Sequence, residues 1–285
     1  MSDISKISSG GVVYDVKDET AREDNLILFQ QARHLYKGRD LTTVFALEIA
    51  NFTDAWAWIK NRITNANFTG IYEGDYIPIT MNGETVEMQV AGIDTYYKTT
   101  DQQLGHHIDF ISRDCFSETV QWNTTNNNNG TADETNPFMA SNLHTWLTET
   151  LYGYLPDAVK NVISTKRMLM DIRYSESGAL TDSTSWAWKD LGTLWVPTEY
   201  EVFGSVVWGT PGWSAGQAMQ YPIFANSYNA REKGAGHGGS RCGWWLASVR
   251  SGNSAYACHV GNYGSASYWD ASSTSRVPVC FRIAA

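Results

Sequence analysis

Residues Ala247 to Ser275 read ASVRSGNSAYACHVGNYGSASYWDASSTS. They stand between two apolar, strand-prone segments, Arg241-Cys-Gly-Trp-Trp-Leu246 and Arg276-Val-Pro-Val-Cys-Phe-Arg-Ile283. Strands are predicted over 243–248 and 277–283. The pattern is that of a variable-looking insert carried between two strands of a fixed frame. Ser, Tyr, Gly and Asn make up 16 of the 29 residues of the insert. That is the composition of an antibody-like paratope, in which rigid aromatic anchors sit beside small, adaptable hydrogen-bonding groups.

The insert contains no Lys, Glu, Gln or Met, where simple proportion expects about four. Randomising the first two positions of an AAC codon reaches Asn, Ser, Tyr, Asp, His, Gly, Ala, Thr, Arg, Cys and Val. It never reaches Lys, Glu, Gln, Met or Trp. Every residue of the insert except Trp269 lies in the reachable set, as randomisation of Asn codons would leave it.

Upstream, the signals alternate between strand and helix. Asp54-Ala-Trp-Ala-Trp-Ile-Lys-Asn-Arg-Ile63 places Trp56, Ile59 and Ile63 on one face behind a Thr/Asp cap, which predicts a short helix. Strands are predicted over 76–80, 84–93 and 107–111, with Asn82-Gly83 as the hairpin turn between the first two. The run 123–137, NTTNNNNGTADETNP, is too polar to bury and is expected to be a long surface loop. Ser141 caps an amphipathic helix carrying Leu143, Leu147 and Leu151, which Pro156 interrupts, and a turn or two over 157–165 precedes a strand over 168–174. A short helix over 199–203 and a glycine-rich stretch over 204–239 complete the chain before the frame.

At the N-terminus, a Gly-Gly turn and the strand-like Val12, Val13, Tyr14 and Val16 precede a helix. Its face is expected to be Ala21, Leu28, Ala32 and Leu35, with Gly38 as the stop. This unit holds too few apolar residues to fold alone and should pack on neighbouring copies or a larger assembly.

The 285 residues are enough for about two domains. With 21 Lys+Arg against 30 Asp+Glu, the net charge is −9 and no basic run occurs, which excludes a broad electrostatic footprint on nucleic acid or an anionic membrane. No apolar run is long enough for a membrane span, and residues 1–11 show no signal-peptide core. Only 18% of residues are charged, while 12 Trp, 15 Tyr and 24 Gly point to short strands and aromatic-packed loops.

No catalytic constellation emerges. His106 and His107 alternate across a strand, and His144, His237 and His259 lack ligand-type spacing. Gly234 to Gly239 lacks the strand and helix of a phosphate cradle. Asp270 is the single local carboxylate of the insert, too few for a calcium cage. The four cysteines, Cys115, Cys242, Cys258 and Cys280, have no paired spacing and read as buried thiols. No metal and no cofactor are expected.

Two resemblances add to this reading. Gly10-Gly-Val-Val-Tyr-Asp-Val-Lys-Asp-Glu-Thr-Ala-Arg22 resembles the N-terminal segment of many tail-associated proteins of phages and prophages in Gram-positive hosts. Leu194-Trp-Val-Pro-Thr-Glu-Tyr-Glu-Val-Phe-Gly204, Tyr221-Pro-Ile-Phe224, Gly243-Trp-Trp-Leu-Ala-Ser248 and the ending 276–283 resemble the C-terminal half of C-type-lectin-fold domains. These occur in phage and bacterial surface proteins, among them the variable proteins of diversity-generating retroelements and the formylglycine-generating-enzyme-like group. The similarity runs from about Gly74 onward.

It implies an α+β fold: a C-type-lectin-like (formylglycine-generating-enzyme-like) domain with short strands, two or more helices and long loops, preceded by an N-terminal strand-helix segment. The expected division is 1–50 for tail attachment and oligomerisation and 51–285 for ligand binding, with a variable region over 247–275. The implied contact residues are Ser248, Arg250, Ser251, Asn253, Tyr256, His259, Asn262, Tyr263, Ser267, Tyr268, Trp269, Asp270, Ser272 and Ser273. The implied role is a phage tail-tip adhesin, resident in the virion and assembled in the bacterial cytoplasm. It would be a homotrimer on phage tail proteins that binds a host cell-surface protein or glycan. The alternatives are a fixed-specificity carbohydrate-binding module and a formylglycine-generating-type oxidase. The calcium-lectin Glu-Pro-Asn and Gln-Pro-Asp triplets are absent, Trp269-Asp-Ala271 matches Trp-Asn-Asp only in part, and the oxidase needs Cys258 to meet a second thiol such as Cys280.

Overall fold

Asn82 and Gly83 both adopt positive φ, 44° and 83°, and turn strand β3 (Tyr76–Met81) directly into β4 (Glu84–Ile93). This is the primed hairpin geometry that an Asn-Gly pair supplies at least strain. The computed structural model describes residues 6–9, 12–15, 19–32, 35–212, 218–226 and 228–285. Gly10-Gly11 and 16–18 of the N-terminal motif, and 213–217 of the glycine-rich stretch, lie outside the described residues.

The chain divides into two compact units, Met1–Tyr36 and Lys37–Ala285. In the first, β1 (Lys6–Ser9) pairs antiparallel with β2 (Val12–Asp15), and a helix runs from Glu19 to Ala32. The expected stripe is displaced: Ile27 is 3% exposed, whereas Leu28 is 53% exposed and Leu35 falls beyond the helix. The i, i+7 spacing favours Leu28, whereas burial selects its neighbour Ile27, about 100° around the helix.

The second unit begins well before residue 51. Arg39 Nη2 donates to Asp75 Oδ2 at 3.0 Å, the Tyr76 amide donates to the Arg39 carbonyl at 2.9 Å, and Leu41 is fully buried. Its spine is a four-stranded antiparallel sheet in the order β15 (Pro278–Ala284), β5 (His107–Cys115), β4, β3. The helix Ala55–Thr64 is capped by Asp54, whose carboxylate accepts from the Trp56 and Ala57 amides at 2.8 Å. It lays the Trp56 ring edge-on against Phe110 of β5 and Phe281 of β15, 5.4 Å from each. Trp56, Trp58, Ile59 and Ile63 are all buried, and side chains of this size contribute about 1.5–3 kcal/mol each.

Smaller antiparallel pieces surround this spine: β6 (Val120–Gln121) with β14 (Thr274–Ser275), β7 (Arg167–Ile172) with β8 (Ser185–Asp190), and β9 (Lys233–Gly234) with β10 (Arg241–Cys242). A three-stranded sheet joins β11 (Trp244–Val249), β12 (Tyr256–Val260) and β13 (Ala266–Asp270). The unit is therefore mixed α+β, with several small antiparallel sheets and few helices. The helix after Ser141 forms as expected, with an α-helical turn at Asn142–Thr145 passing into a π-helical stretch at Trp146–Leu151; Leu143, Leu147 and Leu151 are fully buried.

A buried polar network ties these pieces together. Thr198 and Glu201 form a capping box for the helix Glu199–Phe203. Glu201 Oε1 also accepts from Tyr96 Oη at 2.7 Å and from Lys166 Nζ, whose ammonium lies 3.6 Å from the Trp195 ring centre. Tyr221 Oη links this group to Asp109 at 2.9 Å and also bonds Lys166. Each buried charge has a partner, which is the condition under which charges persist in a core.

Candidate ligand-binding face

Two-residue alternation along β12 and β13 splits the expected contact residues between two sides of the three-stranded sheet. Tyr256 pairs with Asp270 and Cys258 with Tyr268, so these four share one side. Ala257 pairs with Trp269 and His259 with Ser267, and these occupy the other.

On the first side, the Tyr256 and Tyr268 rings lie 5.3 Å apart, and Trp208 meets Tyr268 edge-on at 4.8 Å. The Arg250 guanidinium carbon is 3.7 Å from the Tyr268 ring centre, 5.3 Å from Tyr256 and 5.6 Å from Trp208. On the second side, Trp269 is 52% exposed and covers His259 at 5.5 Å, which in turn meets Trp245 edge-on at 5.1 Å.

His259 is the expected contact that the structure removes from the surface. It is 3% exposed. Its Nε2 lies 2.9 Å from Ser275 Oγ, which donates to the Gly243 carbonyl, so Nε2 is the protonated nitrogen, and the buried Nδ1 has no partner among the described residues. Burial holds its pKa down at about 4, so the imidazole is neutral at neutral pH.

Asn262 and Tyr263 occupy the turn between β12 and β13, both exposed, Tyr263 at 63%. The remaining polar candidates are partly engaged with the frame. Ser248 Oγ accepts from the Glu199 amide at 2.9 Å, Ser251 Oγ donates to Asp182, Asn253 Oδ1 accepts from the Ala255 amide at 2.7 Å, and Ser272 Oγ donates to Asn126 at 2.6 Å. Ser273 closes a turn on the Asp270 carbonyl at 2.9 Å. The face proper is thus Arg250, Tyr256 and Tyr268 on one side, Trp269 and Ser267 on the other, and Asn262 and Tyr263 at the tip.

Three residues outside the insert complete the site, and sequence reading missed all of them. Trp208 adds the third ring beside Arg250. Asn128, fully buried, takes its amide to the Ser254 carbonyl at 2.8 Å and its side-chain NH2 to the carbonyls of Asn253, at 2.8 Å, and Tyr256. Arg173, also fully buried, donates to the carbonyls of Arg250 at 2.7 Å, Asn253 at 2.9 Å, Leu180 at 3.2 Å and Thr181. The Ser251 and Gly252 amides bond the carbonyls of Trp208 and Thr181 at 2.9 and 2.8 Å. Residues 250–256 are therefore held largely through main-chain atoms by groups outside the insert.

The polar run 123–137 does not behave as a solvated loop: Asn128, Asn129 and Asn136 are buried. Asn129 bonds the Leu180 carbonyl at 3.2 Å and Asn136 the Asp171 carbonyl at 2.8 Å. Side-chain amides substitute here for strand pairing, which composition alone does not reveal.

Beneath the face, Glu199 is buried, and its carboxylate accepts the amides of Val207, Trp208 and Gly209 at 2.8–3.0 Å. The neighbouring Asp171 accepts from Ser183 Oγ at 2.7 Å and Thr210 Oγ1 at 3.1 Å, and burial raises its pKa. The cavity touching Asp171, Glu199, Gly209, Thr210 and Ser248 measures about 30 Å³, room for a water or two rather than a small-molecule substrate.

Cys258 lies near Glu199, Asp171 and Arg173, and burial, followed by those two acids, pushes its thiol well up. Cys280 lies near Lys233 and Lys166, and burial pushes it up as well. The thiols that come close to each other are Cys115 and Cys242, and the Cys242 thiol donates to the Gly234 carbonyl at 3.3 Å. Among the described residues no three His, Cys, Asp or Glu side chains converge as a metal site, and no helix is long and apolar enough to cross a membrane.

No curated protein and no solved structure matches the chain. Residues 109–285, from Asp109 of β5 through the whole face to the C-terminus, match a family described as a domain of unknown function, DUF6273, and the chain belongs to that family.

Proposed function

We propose that this protein is a phage tail-tip receptor-binding protein. In this reading, its C-type-lectin-like unit displays a ligand-binding face over 247–275 that a diversity-generating retroelement varies. The observation that carries the reading is the way the insert is held. Asn128 and Arg173, both outside it, grip the carbonyls of Arg250, Asn253, Ser254 and Tyr256. Main-chain atoms are the same whatever the side chain, so these bonds survive substitution at every one of those positions.

A surface that must change its chemistry and keep its shape needs this arrangement. The codon-limited composition of the insert supports the same conclusion. Tyr256, Tyr263, Tyr268 and Trp269 supply contact area, and Ser and Asn adapt the hydrogen bonding. Several copies on one tail raise avidity without new contacts.

The test is to sequence the DNA around the gene across a source population and search for a near-copy of the Ala247–Ser275 coding segment beside a reverse-transcriptase gene. Mismatches confined to template adenines are the expected result. A segment identical in every genome, with no repeat, would overturn retroelement diversification and leave a face of fixed specificity.

A further inference from the structure

We propose that Arg250 is an anion-recognition site for a carboxylated sugar, with the guanidinium binding the carboxylate and Trp208 stacking on the pyranose ring. This rests on the reading of 247–275 as a ligand-binding face and names the ligand class for the residues present here.

Six other arginines of the unit each hold a carboxylate: Arg39, Arg62, Arg113, Arg167, Arg241 and Arg282. Arg250 holds none. Among the described residues its guanidinium has neither an ion pair nor a hydrogen bond, in a chain with nine more acids than bases. Its position is nonetheless fixed. The main chain is pinned by its amide on the Tyr256 carbonyl at 3.1 Å and by Arg173 on its own carbonyl at 2.7 Å. The side chain is stacked 3.7 Å from the Tyr268 ring centre, with Tyr256 and Trp208 flanking it.

An arginine ordered on its flat face keeps its five N–H donors at the edge, in the fork that matches a carboxylate bidentately. The rings have already removed the rotamer freedom that binding would otherwise cost. Partial burial beside three aromatic rings strengthens a charge-assisted bond relative to open water. The Tyr256 and Tyr268 hydroxyls have no hydrogen-bond partner among the described residues, and both rings flank the guanidinium. Trp208 is 37% exposed next to the guanidinium, a flat apolar surface of the kind a sugar ring packs on. A bare anion needs only the fork, and a neutral sugar needs only the indole; the two together select a uronic-acid type of residue.

The experiment titrates sodium glucuronate, glucose and the methyl ester of glucuronic acid into the full-length protein by ligand-observed NMR at low salt. It is repeated on Arg250→Gln, Arg250→Lys and Trp208→Ala, with thermal melts confirming the fold of each. Saturable glucuronate binding is expected, weakening with added salt, with glucose and the ester at least about tenfold weaker. Arg250→Gln should lose about tenfold or more, and Arg250→Lys, which keeps charge without the fork, should fall between. Equal binding of glucuronate and glucose, or full glucuronate binding by a folded Arg250→Gln, overturns the assignment. Arg250-dependent binding of an Asp/Glu-rich peptide in place of glucuronate overturns the sugar class. The population sequencing that tests the variable face is read from DNA, so either idea fails without the other.

Discussion

Asp109 and Arg282 face each other directly across the β5–β15 pair and meet bidentately, Nε to Oδ1 at 2.7 Å and Nη2 to Oδ2 at 2.8 Å, with both side chains out of contact with solvent. Burial alone would raise the Asp109 pKa. The Arg282 charge and its hydrogen bonds outweigh that and bring it to about 2. Asp109→Asn leaves the guanidinium buried against a neutral amide and should destabilise the unit by about 3–5 kcal/mol, measured by urea unfolding. Because the folded pKa lies below the unfolded value of about 3.9, the contribution of the carboxylate is present above that value and is lost as pH falls toward 2.

His259 gives a second, separable pH dependence. Its folded pKa is held at about 4 by burial, against about 6.5 unfolded. Between those values the unfolded chain binds a proton that the folded chain refuses, so stability drops as pH falls through that window and levels off below it. The full span is worth about 3 kcal/mol. His107 and His144 shift in the same direction through burial, so the measurement is the difference between the wild-type and His259→Gln profiles. An unchanged profile in the variant would contradict the buried neutral imidazole.

Asn128→Ala removes a side chain that bonds two carbonyls. A loss of about 2–3 kcal/mol is expected, with faster hydrogen exchange concentrated in 250–256. Arg173→Ala should do the same more severely, since it strands four carbonyls.

Tyr263→Ser and Trp269→Ser should behave in the opposite way. Both side chains are mostly solvent-exposed, so stability should stay within about 0.5 kcal/mol for Tyr263 and shift somewhat more for Trp269, which covers His259. Under the proposed function, adsorption to host cells should change for both. Melts paired with binding assays separate this outcome from the Asn128 result.

Much of the frame was legible because its signals are local. Asn82-Gly83, the Asp54 and Ser141 caps and the apolar alternation of 84–93 each carry their structural meaning within a few residues. The face was legible in part. The composition of 247–275 marked the segment, yet strand alternation alone does not decide which side chains reach solvent: His259 and Trp269 lie on the same side of the sheet, and His259 is buried because Trp269 covers it. Asn128, Arg173 and Trp208 reach the insert across sequence separations of 42 residues or more, so no local pattern could single them out. The same limit hid the meeting of Cys115 with Cys242. In 123–137 polarity was read as exposure, whereas the asparagines are buried and bonded to main chain.

The two ends of the insert lie side by side. Trp244 bridges to Arg276, and the Trp245 amide donates to the Arg276 carbonyl at 3.0 Å, so the chain leaves the frame and returns to it at nearly the same point. The excursion between is a cassette: closing it depends only weakly on its length, each doubling costing about 0.6 kcal/mol. Insertions at the Asn262–Tyr263 tip therefore leave the strand ends where they are, and transplanting a foreign hairpin between Leu246 and Arg276 becomes a question of what Asn128 and Arg173 can hold.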